Sequence, residues 1–309
     1  MVDFASDVPF HDVPAKLREH YGFELSPEVI RRITLCHAQR AGDFVKEADS
    51  LPDSPGVQTL IAEADGGMIP IVTFDKNSKE TDKRKKRQVC WKEARLCFSR
   101  DVNNISGIFR ATLQTINETG DMWFSSAVEA GMGSSTKVHC IGDGALWIKD
   151  QADRIFADQG SYLVDFYHVS DYLAAASPIF NKESPREWLH EQQKHLKEGK
   201  LYLVLQNLER HLYEDDAPEE ESVRSCYRYL SNRLDQLDYL GAILNKLPIG
   251  SGEIESGHRH VVQKRMKRAG AWWKDINAEK MLQLLTLRAN GLWQVFWENQ
   301  SVDFQEEVA

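Results

Sequence analysis

The residues best suited to chemistry in this 309-residue sequence are carboxylates that lie beside predicted strands. Asp143 follows the apolar run 138–141 and lies between Gly142 and Gly144, which free the backbone to turn sharply. The pattern at 145–156 predicts a helix, so Asp143 lies where open α/β sheets bind ligands. A carboxylate there suits Mg²⁺, but an Asp at this position can also cap the helix. Both interpretations stay open from this stretch alone.

Asp65 occupies a similar place on an earlier predicted strand. The runs 59–65 and 68–74 lie on either side of Gly66-Gly67, and this pattern predicts a β-hairpin with a two-glycine turn. Asp65 would then end the first strand of that hairpin. A third predicted strand, 93–99, follows a basic loop.

The predicted elements follow one order along the chain: three strands, a helix at 107–130, the strand before Asp143, a helix, and a strand at 161–168. Three antiparallel strands followed by strand–helix units is the layout of a ribonuclease-H-like domain, whose first and fourth strands are neighbours. Asp65 and Asp143 lie on those two strands. The predicted fold class is α/β, with a ribonuclease-H-like mixed sheet flanked by helices and interrupted by an all-α insertion.

Glu255 is the third carboxylate in this set. It lies in the first turns of a helix that follows Pro-Ile-Gly-Ser-Gly at 248–252, and Glu253 lies about 200° away on the same helix. Only one of these two glutamates can therefore face a site. Three carboxylates at one point would repel each other unless cations lay between them. Two Mg²⁺ ions about 4 Å apart, or Mn²⁺ in their place, would serve in phosphodiester chemistry.

The chain divides into four predicted segments. Apolar stripes at helical spacing predict packed helices between the last sheet strand and the helix of Glu255. The N-terminal part predicts a helix–glycine turn–helix, an outline shared by small DNA-binding motifs and by many ordinary helical hairpins. The segments are a short helical region that could be a truncated DNA-binding region (1–56), the first part of the catalytic domain (57–172), the helical insertion (173–247), and the rest of the catalytic domain with C-terminal helices (248–309).

Charge is segregated along the chain. The net charge is 38 − 47 = −9, which does not by itself suggest a nucleic-acid binder. Five consecutive basic residues at 83–87 and an acidic stretch at 214–221 stand apart from this average. Basic stretches could follow a phosphate backbone, and a solvated surface is the alternative. A second basic stretch consists of Arg259, Lys264, Arg265, Lys267 and Arg268.

Composition excludes several classes of protein. The mean hydropathy is −0.48 and no stretch approaches the length of an apolar membrane span, so we expect no membrane segment. The N-terminus lacks the pattern of a signal peptide. The five cysteines form no Cys-x-x-Cys pair, which argues against a zinc ribbon and a disulfide framework and favours a reducing cytoplasm.

Several of these motifs together resemble one family. Gly142–Ile148 reads Gly-Asp-Gly-Ala-Leu-Trp-Ile, and the Pro-Ile-Gly-Ser-Gly stretch continues to Glu255-Ser256. Lys-Arg-Met-Lys at 264–267, with Gly270, Trp273 and Leu287-Arg288 after it, completes the C-terminal pattern. This set resembles bacterial insertion-sequence transposases of the ISKra type, over about residues 57–297. That family is similar to the Mutator-like transposases, which have a ribonuclease-H fold and an Asp-Asp-Glu triad.

The resemblance implies roles for particular residues. By position, the triad is Asp65, Asp143 and Glu255, which would bind two Mg²⁺ ions. The segment 165–168 looks like the Cys/Asp-x-x-His signature of Mutator-like elements, which would make Asp165 and His168 part of the catalytic site. His168 could orient a carboxylate or contact the scissile phosphate, and the alternative is a hydrogen-bonded histidine near the core.

The activity implied by the resemblance is that of a DDE transposase, with metal-dependent strand cleavage and strand transfer of an insertion sequence. Double-stranded DNA, as element ends and target, would be the partner of a homo-oligomer associated with the nucleoid in the cytoplasm. The second basic stretch would contact phosphates. Trp147, Trp272 and Trp273 would either stack on unpaired bases or pack in the core. Two alternatives stay open: a ribonuclease-H-like nuclease without strand transfer, and a non-catalytic DNA-binding remnant with a shortened N-terminal region.

Overall fold

The computed structural model describes residues 1–75, 81–82, 85–210, 212, 221–269 and 271–306. The strands are β1 (Thr59–Phe74), β2 (Arg87–Asp101), β3 (Ile108–Thr112), β4 (Lys137–Gly142) and β5 (Gly160–Val164). The helices are α1 (Val2–Asp7), α2 (Val13–Tyr21), α3 (Pro27–Phe44), α4 (Ile116–Glu129), α5 (Leu146–Phe156), α6 (Phe166–Phe180), α7 (Pro185–Lys197), α8 (Leu201–Glu209), α9 (Glu221–Ser231), α10 (Tyr239–Leu244), α11 (Gly252–Gly257), α12 (Lys264–Met266), α13 (Asp275–Ala289) and α14 (Trp293–Glu306).

The strands form one five-stranded mixed sheet in the order β3-β2-β1-β4-β5. β2 and β3 are antiparallel, whereas β1 with β4 and β4 with β5 are parallel pairs. The predicted α/β fold class with a mixed sheet flanked by helices is confirmed. The strand that contains Asp65, β1, and the strand that directly precedes Asp143, β4, are neighbours, as the ribonuclease-H-like layout requires.

The chain forms two compact units. Unit 1 comprises residues 1–57, 64–135 and 253–309, and unit 2 comprises residues 58–63 and 136–252. The segment predicted as a helical insertion, 173–247, lies within unit 2. Of the helices in the described residues, none is both long and apolar enough to cross a membrane.

The core of unit 1 lies around α13, which packs against α3 and β3, and around α4, which packs against β2 and β3. Leu96, Met281 and Leu284 are fully buried there. Burial of one such side chain contributes about 1.5–3 kcal/mol. α3 begins at Pro27, because the Ser26 hydroxyl accepts a hydrogen bond from the Val29 amide at 3.3 Å.

The core of unit 2 lies between its strands and its helices. α6 packs against α7 and α9, and α8 packs against both α7 and α9. α5 turns Ile148, Ala152 and Phe156 inward, at the spacing of one helix face. Leu173 on α6 and Leu208 on α8 are fully buried between these layers. The apolar stripes predicted from the sequence are therefore core.

The predicted hairpin at Gly66-Gly67 is wrong. Both glycines lie inside β1, which continues for 16 residues. A Cβ atom at Gly66 would lie 2.3 Å from Glu93 Oε1, and one at Gly67 would lie 2.8 Å from His258 Nδ1. Glycine is needed at these positions because other side chains approach the strand, and the chain does not turn there.

The helix predicted at 107–130 has the wrong start. Its first residues form β3, which pairs with β2 from Ile108 to Thr112. The helix begins at Ile116, where Thr115 and Glu118 form a capping box. Pairing with a neighbouring strand therefore determines the conformation of 108–112.

One other predicted boundary is also wrong. The strand predicted at 161–168 ends at Val164, because Asp165 caps α6. The C-terminal helices are α13 and α14, separated by Gly291 with φ 73°. A left-handed residue of this kind ends a helix.

Candidate functional site

In unit 1, Asp65 lies in the middle of β1 beside a buried histidine. His258 Nε2 lies 3.1 Å from the Asp65 carbonyl oxygen and 3.5 Å from Asp65 Oδ2. A carbonyl oxygen only accepts hydrogen bonds, so Nε2 carries the proton and donates. The His258 side chain is 3% exposed and the Asp65 side chain 30% exposed. The histidine therefore holds the backbone of Asp65 and lies close to one carboxylate oxygen.

His258 can reach Asp65 because Gly67 leaves room for its ring, as described above. His258 begins a π-helical segment, His258–Gln263, directly after α11. Such segments are often found at functional sites. Among the described residues, Nδ1 of His258 is buried and has no hydrogen-bond partner. The sequence signal for this residue was weak, since one histidine after a short helix predicts nothing specific.

The two glutamates of α11 have different surroundings in unit 1. Arg100 Nε lies 2.8 Å from both carboxylate oxygens of Glu253. Glu255 is exposed, and no described residue forms an ion pair with it. Glu253 is held by a structural ion pair, and the carboxylate of Glu255 is open to solvent. The choice of Glu255 as the site residue of the pair stays a prediction.

In unit 2, Asp143 lies in the turn between β4 and α5. Its Oδ1 accepts a hydrogen bond from the Ala145 amide at 2.8 Å. The residue at the N-cap of α5 is Ala145, which makes no side-chain cap. Asp143 therefore stabilises the turn through Oδ1 alone. A structural role for this oxygen is compatible with a role for the side chain as a metal ligand. Oδ2 of Asp143 makes no hydrogen bond to a described residue.

The turn around Asp143 accepts hydrogen bonds from α9 and from the residues after it. The Tyr229 hydroxyl donates to the Asp143 carbonyl at 2.6 Å. Arg233 donates to the Gly144 carbonyl through Nε at 3.2 Å and Nη2 at 2.9 Å. The Tyr162 oxygen accepts from the Gly144 amide at 3.2 Å. Burial raises the pKa of Tyr229 and Tyr162, so both hydroxyls stay protonated.

Gly144 is required in this turn. Its φ is +85°, and a Cβ atom at this position would lie 2.4 Å from the Tyr229 hydroxyl and 2.9 Å from Arg233 Nε. Tyr229 and Arg233 were absent from the sequence prediction, because they are far from Asp143 in the chain. Tyr229 lies in α9 and Arg233 lies two residues after its end, and nothing in the local sequence connects either residue to the turn.

Asp165 is a buried structural residue of unit 2. It is 2% exposed, and its Oδ1 accepts from the His168 amide at 2.8 Å as the N-cap of α6. Its Oδ2 accepts from the Ser251 hydroxyl at 2.7 Å and from the Ser251 amide. Asp165 therefore joins the start of α6 to the segment before α11. With both oxygens used in this way, we assign Asp165 a supporting role.

His168 lies among tyrosines in unit 2. Its ring is half-buried, 5.6 Å from the Tyr172 ring and 5.8 Å from the Tyr229 ring. Tyr172 and Tyr229 stack at 4.0 Å. His168 thus lies beside Tyr229, which donates to the Asp143 carbonyl, and its role in the site stays a prediction.

The predicted phosphate-contacting residues have different environments in unit 1. Arg265 is 2% exposed, donates through Nε to the Ala5 carbonyl at 2.8 Å, and lies over the rings of Phe10 and Trp273. Burial lowers the pKa of Arg265 to about 10. A guanidinium enclosed in this way cannot reach a phosphate, so we remove Arg265 from the predicted DNA-binding set.

The other four basic residues are exposed. Lys264 Nζ lies 3.3 Å from Asp7 Oδ1, and Arg268 donates to the Asp7 carbonyl at 2.8 Å. Arg259 and Lys267 form no ion pair with any described residue. Of the five cations predicted, these two have the fewest competing contacts. Of the basic run 83–87, Lys83 and Arg84 lie outside the described residues, as does the acidic stretch from 214 to 220.

The three tryptophans predicted as stacking residues differ in exposure. Trp273 is 4% exposed and donates through its indole to the Met266 carbonyl at 3.2 Å, so it is core. Trp147 is half-buried. Trp272 is 44% exposed and is available to a partner.

The donor chemistry of Asp65, Asp143 and Glu255 suits a hard cation. All three are carboxylates, and each side chain is exposed or half-buried. Oδ2 of Asp143 and the carboxylate of Glu255 have no partner in the part of the chain that is described. Within those same residues, no group of three or more His, Cys, Asp or Glu side chains is arranged to hold a metal ion. The residues fit Mg²⁺ by type, and the triad stays a prediction.

Comparison with known proteins identifies the family to which this chain belongs. Residues 56–301 match the model of a family described as "Uncharacterised protein family (UPF0236)". The match covers most of the chain, so the chain belongs to this family. A relative described as "UPF0236 protein in vanSb 3'region", from Streptococcus gallolyticus, is 31% identical over 158 residues, which are 50% of this chain and 34% of the relative. The match thus spans about a third of that relative's length. The resemblance to ISKra-type transposases stays a prediction.

Proposed function

We propose that this member of the UPF0236 family is a DNA transposase of the Asp-Asp-Glu class, related to the ISKra type, that cuts and joins DNA strands. One observation carries the proposal. The parallel register of β1 and β4 ends with Glu63 opposite Ile141. Asp65 follows Glu63 by two residues within β1, and Asp143 follows Ile141 by two residues in the turn directly after β4. A carboxylate two residues beyond this pair on each chain segment favours metal chemistry.

Asp65, Asp143 and Glu255 would hold two Mg²⁺ ions. When bound, these ions supply activation of the attacking oxygen and stabilisation of the leaving oxygen. The protein's own residues position the ligands. His258 holds the backbone of Asp65, and Tyr229 with Arg233 holds the turn of Asp143 through main-chain carbonyls. Arg100 neutralises Glu253, so that the neighbouring charge of Glu255 stands alone on α11.

The proposed reaction has two steps. In the first, a water oxygen bonds to the phosphorus at the element end, and the bond from phosphorus to the 3′ oxygen breaks. The 3′ oxygen takes up a proton and leaves as a hydroxyl. In the second, that 3′ hydroxyl bonds to a phosphorus of target DNA and its proton passes to solvent. The bond from this phosphorus to the 3′ oxygen of the target breaks, and that oxygen takes up a proton and leaves as a hydroxyl. The substrate would be double-stranded DNA, held by a homo-oligomer.

The test is cleavage and joining of a DNA that carries the element ends, with Mg²⁺ or Mn²⁺. Asp143→Asn should lower the cleavage rate by at least about 100-fold, since it removes one charged ligand. Asp171→Asn, an exposed aspartate on α6, is the matched control and should cut normally. Undiminished cleavage by Asp143→Asn would remove this residue from the mechanism. Cutting without joined products would favour a nuclease, and binding without cutting would favour a DNA-binding remnant.

A further inference from the structure

Unit 1 has an exposed surface of aromatic and cationic side chains away from its buried cluster. This aromatic–basic surface consists of Phe74, Arg87, Trp91, Trp272 and Lys274. The exposed fractions of its three rings are 42% for Phe74, 59% for Trp91 and 44% for Trp272. Large aromatic side chains that are grouped and exposed in this way indicate an interaction site.

The backbone of unit 1 brings these residues together. The Asp75 amide donates to the Lys86 carbonyl at 2.9 Å, which joins the end of β1 to the start of β2. The Val72 amide donates to the Trp273 carbonyl at 2.7 Å, and this places residues 272–274 beside β1. Because side chains alternate along a strand, Arg87 and Trp91 lie on the same face of β2. The five residues therefore share one part of the surface.

Cations lie beside two of the three rings on this surface. The Arg87 guanidinium carbon lies 3.8 Å from the centre of the Trp272 ring, and Lys274 Nζ lies 5.9 Å from the centre of the Phe74 ring. Asp275, which follows Lys274 in the chain, is bound by Lys92 at 2.8 Å. Residues 87–91 are all exposed, so no described part of the chain covers the start of β2.

We propose that the aromatic–basic surface binds single-stranded DNA. Aromatic faces stack on unpaired bases, and interleaved cations bind the phosphates, which is the combination that single-strand binding requires. A duplex keeps its base faces stacked on each other, so these rings would have little to contact. A purely apolar protein partner would gain nothing from Arg87 and Lys274. This inference adds a binding site to the proposed function and needs neither Mg²⁺ nor the carboxylates.

The test measures binding of a fluorescein-labelled oligodeoxythymidine to the full chain by anisotropy, in EDTA. Trp91→Ala and Trp272→Ala should each weaken the affinity about tenfold, as expected for the loss of one stacked base. Tyr202→Ala, which removes a 66% exposed ring from unit 2, is the matched control and should bind normally. Thermal unfolding of each variant checks that the fold is intact.

The salt dependence of the same binding tests the cations. Arg87→Gln and Lys274→Gln should each lower the slope of log affinity against log salt by about 0.7. Lys46→Gln, an exposed lysine elsewhere in unit 1, should leave the slope unchanged. Native affinity in Trp91→Ala, or equal affinity for a duplex, would overturn the proposal. So would loss of self-association in these variants with unchanged DNA affinity, which would assign the surface to a second copy. The binding is measured in EDTA without cleavage, so this proposal and the catalytic one fail separately.

Discussion

At the scale of single residues, the contacts of a carboxylate decide what it can do. Glu253 and Glu255 lie on the same short helix, yet Arg100 binds only Glu253. An ion-paired carboxylate resists becoming a metal ligand, because the cation must first replace the arginine. The same reasoning separates Asp143, which keeps one oxygen without a described partner, from Asp165, whose two oxygens both accept hydrogen bonds.

The first prediction compares the two glutamates. Glu255→Gln should lower Mg²⁺-dependent cleavage by at least about 100-fold, since it removes the charge of a proposed ligand. Glu253→Gln should retain most of the cleavage activity and lose about 1–3 kcal/mol of stability, because Arg100 loses its partner. Rates on DNA and chemical denaturation of both variants provide the measurements. Equal cleavage by the two variants would contradict the assignment of Glu255.

The second prediction concerns His258 as a positioning residue. His258→Leu removes the donor to Asp65 and should weaken Mn²⁺ binding, followed by electron paramagnetic resonance, and cleavage by about 10- to 100-fold each. His258→Gln keeps a nitrogen donor of similar reach and should restore much of both. A purely packing role predicts the reverse order, since leucine is apolar and glutamine is not. His260→Leu, an exposed neighbour, is the control and should resemble the native chain.

At the scale of elements, the proposed site depends on turns that distant residues fasten. The Gly142–Gly144 turn follows β4 as the sequence predicted, but Tyr229 in α9 and Arg233 after α9 hold it through hydrogen bonds to its carbonyl oxygens. Hydrogen bonds of this kind keep the carboxylate of the turn in one place. The helices of 173–247 therefore contribute to the proposed site besides filling the core.

The third prediction tests this turn. Gly144→Ala should destabilise the protein by about 2 kcal/mol, because alanine is strained at φ +85° and its Cβ would displace the Tyr229 hydroxyl. Gly252→Ala is the matched control: nothing lies within 4 Å of its added Cβ, so its stability should change by less than about 1 kcal/mol. Chemical denaturation measures both. Similar stabilities of the two variants would argue against a fastened turn.

Sequence patterns predicted elements well where the signal was local. The helix after Asp143 has an apolar face at regular spacing, and α3 has a cap at Ser26, so both were found. The prediction at Gly66-Gly67 was wrong because glycine is found both in turns and where another group approaches the backbone closely. Only the folded chain shows that Glu93 and His258 approach these glycines. Local sequence contains no information on that approach.

The residues of the candidate site were also predicted only where the sequence signal was local. Asp65, Asp143 and Glu255 were found because acids beside strands and early in helices form a recognisable pattern. His258, Tyr229 and Arg233 were missed, since each acts on a residue more than eighty positions away. Arg265 was predicted as a surface cation because its neighbours are basic, but Phe10 and Trp273 enclose it. Burial of a charged side chain depends on tertiary packing, which charge runs do not encode.

At the scale of the whole molecule, the net charge of −9 requires that any DNA contact use local groups of cations. Arg259 and Lys267 are candidates for such contacts, since both are exposed and neither has an ion pair in the described part of the chain. Lys264 and Arg268 already donate hydrogen bonds to Asp7. The DNA affinity of an acidic protein of this kind should therefore depend on few cations and fall with salt.

The fourth prediction follows from this distribution of charge. The double variant Arg259→Gln with Lys267→Gln should lower the salt slope of duplex DNA binding by about 1.8, which corresponds to two lost phosphate contacts. Arg32→Gln with Lys46→Gln removes the same charges from other exposed positions of unit 1 and should leave the slope unchanged. Arg265→Gln should lower stability instead, because it leaves the Ala5 carbonyl without its donor, and should not change the slope. Equal slopes for the two double variants would show that DNA binds elsewhere.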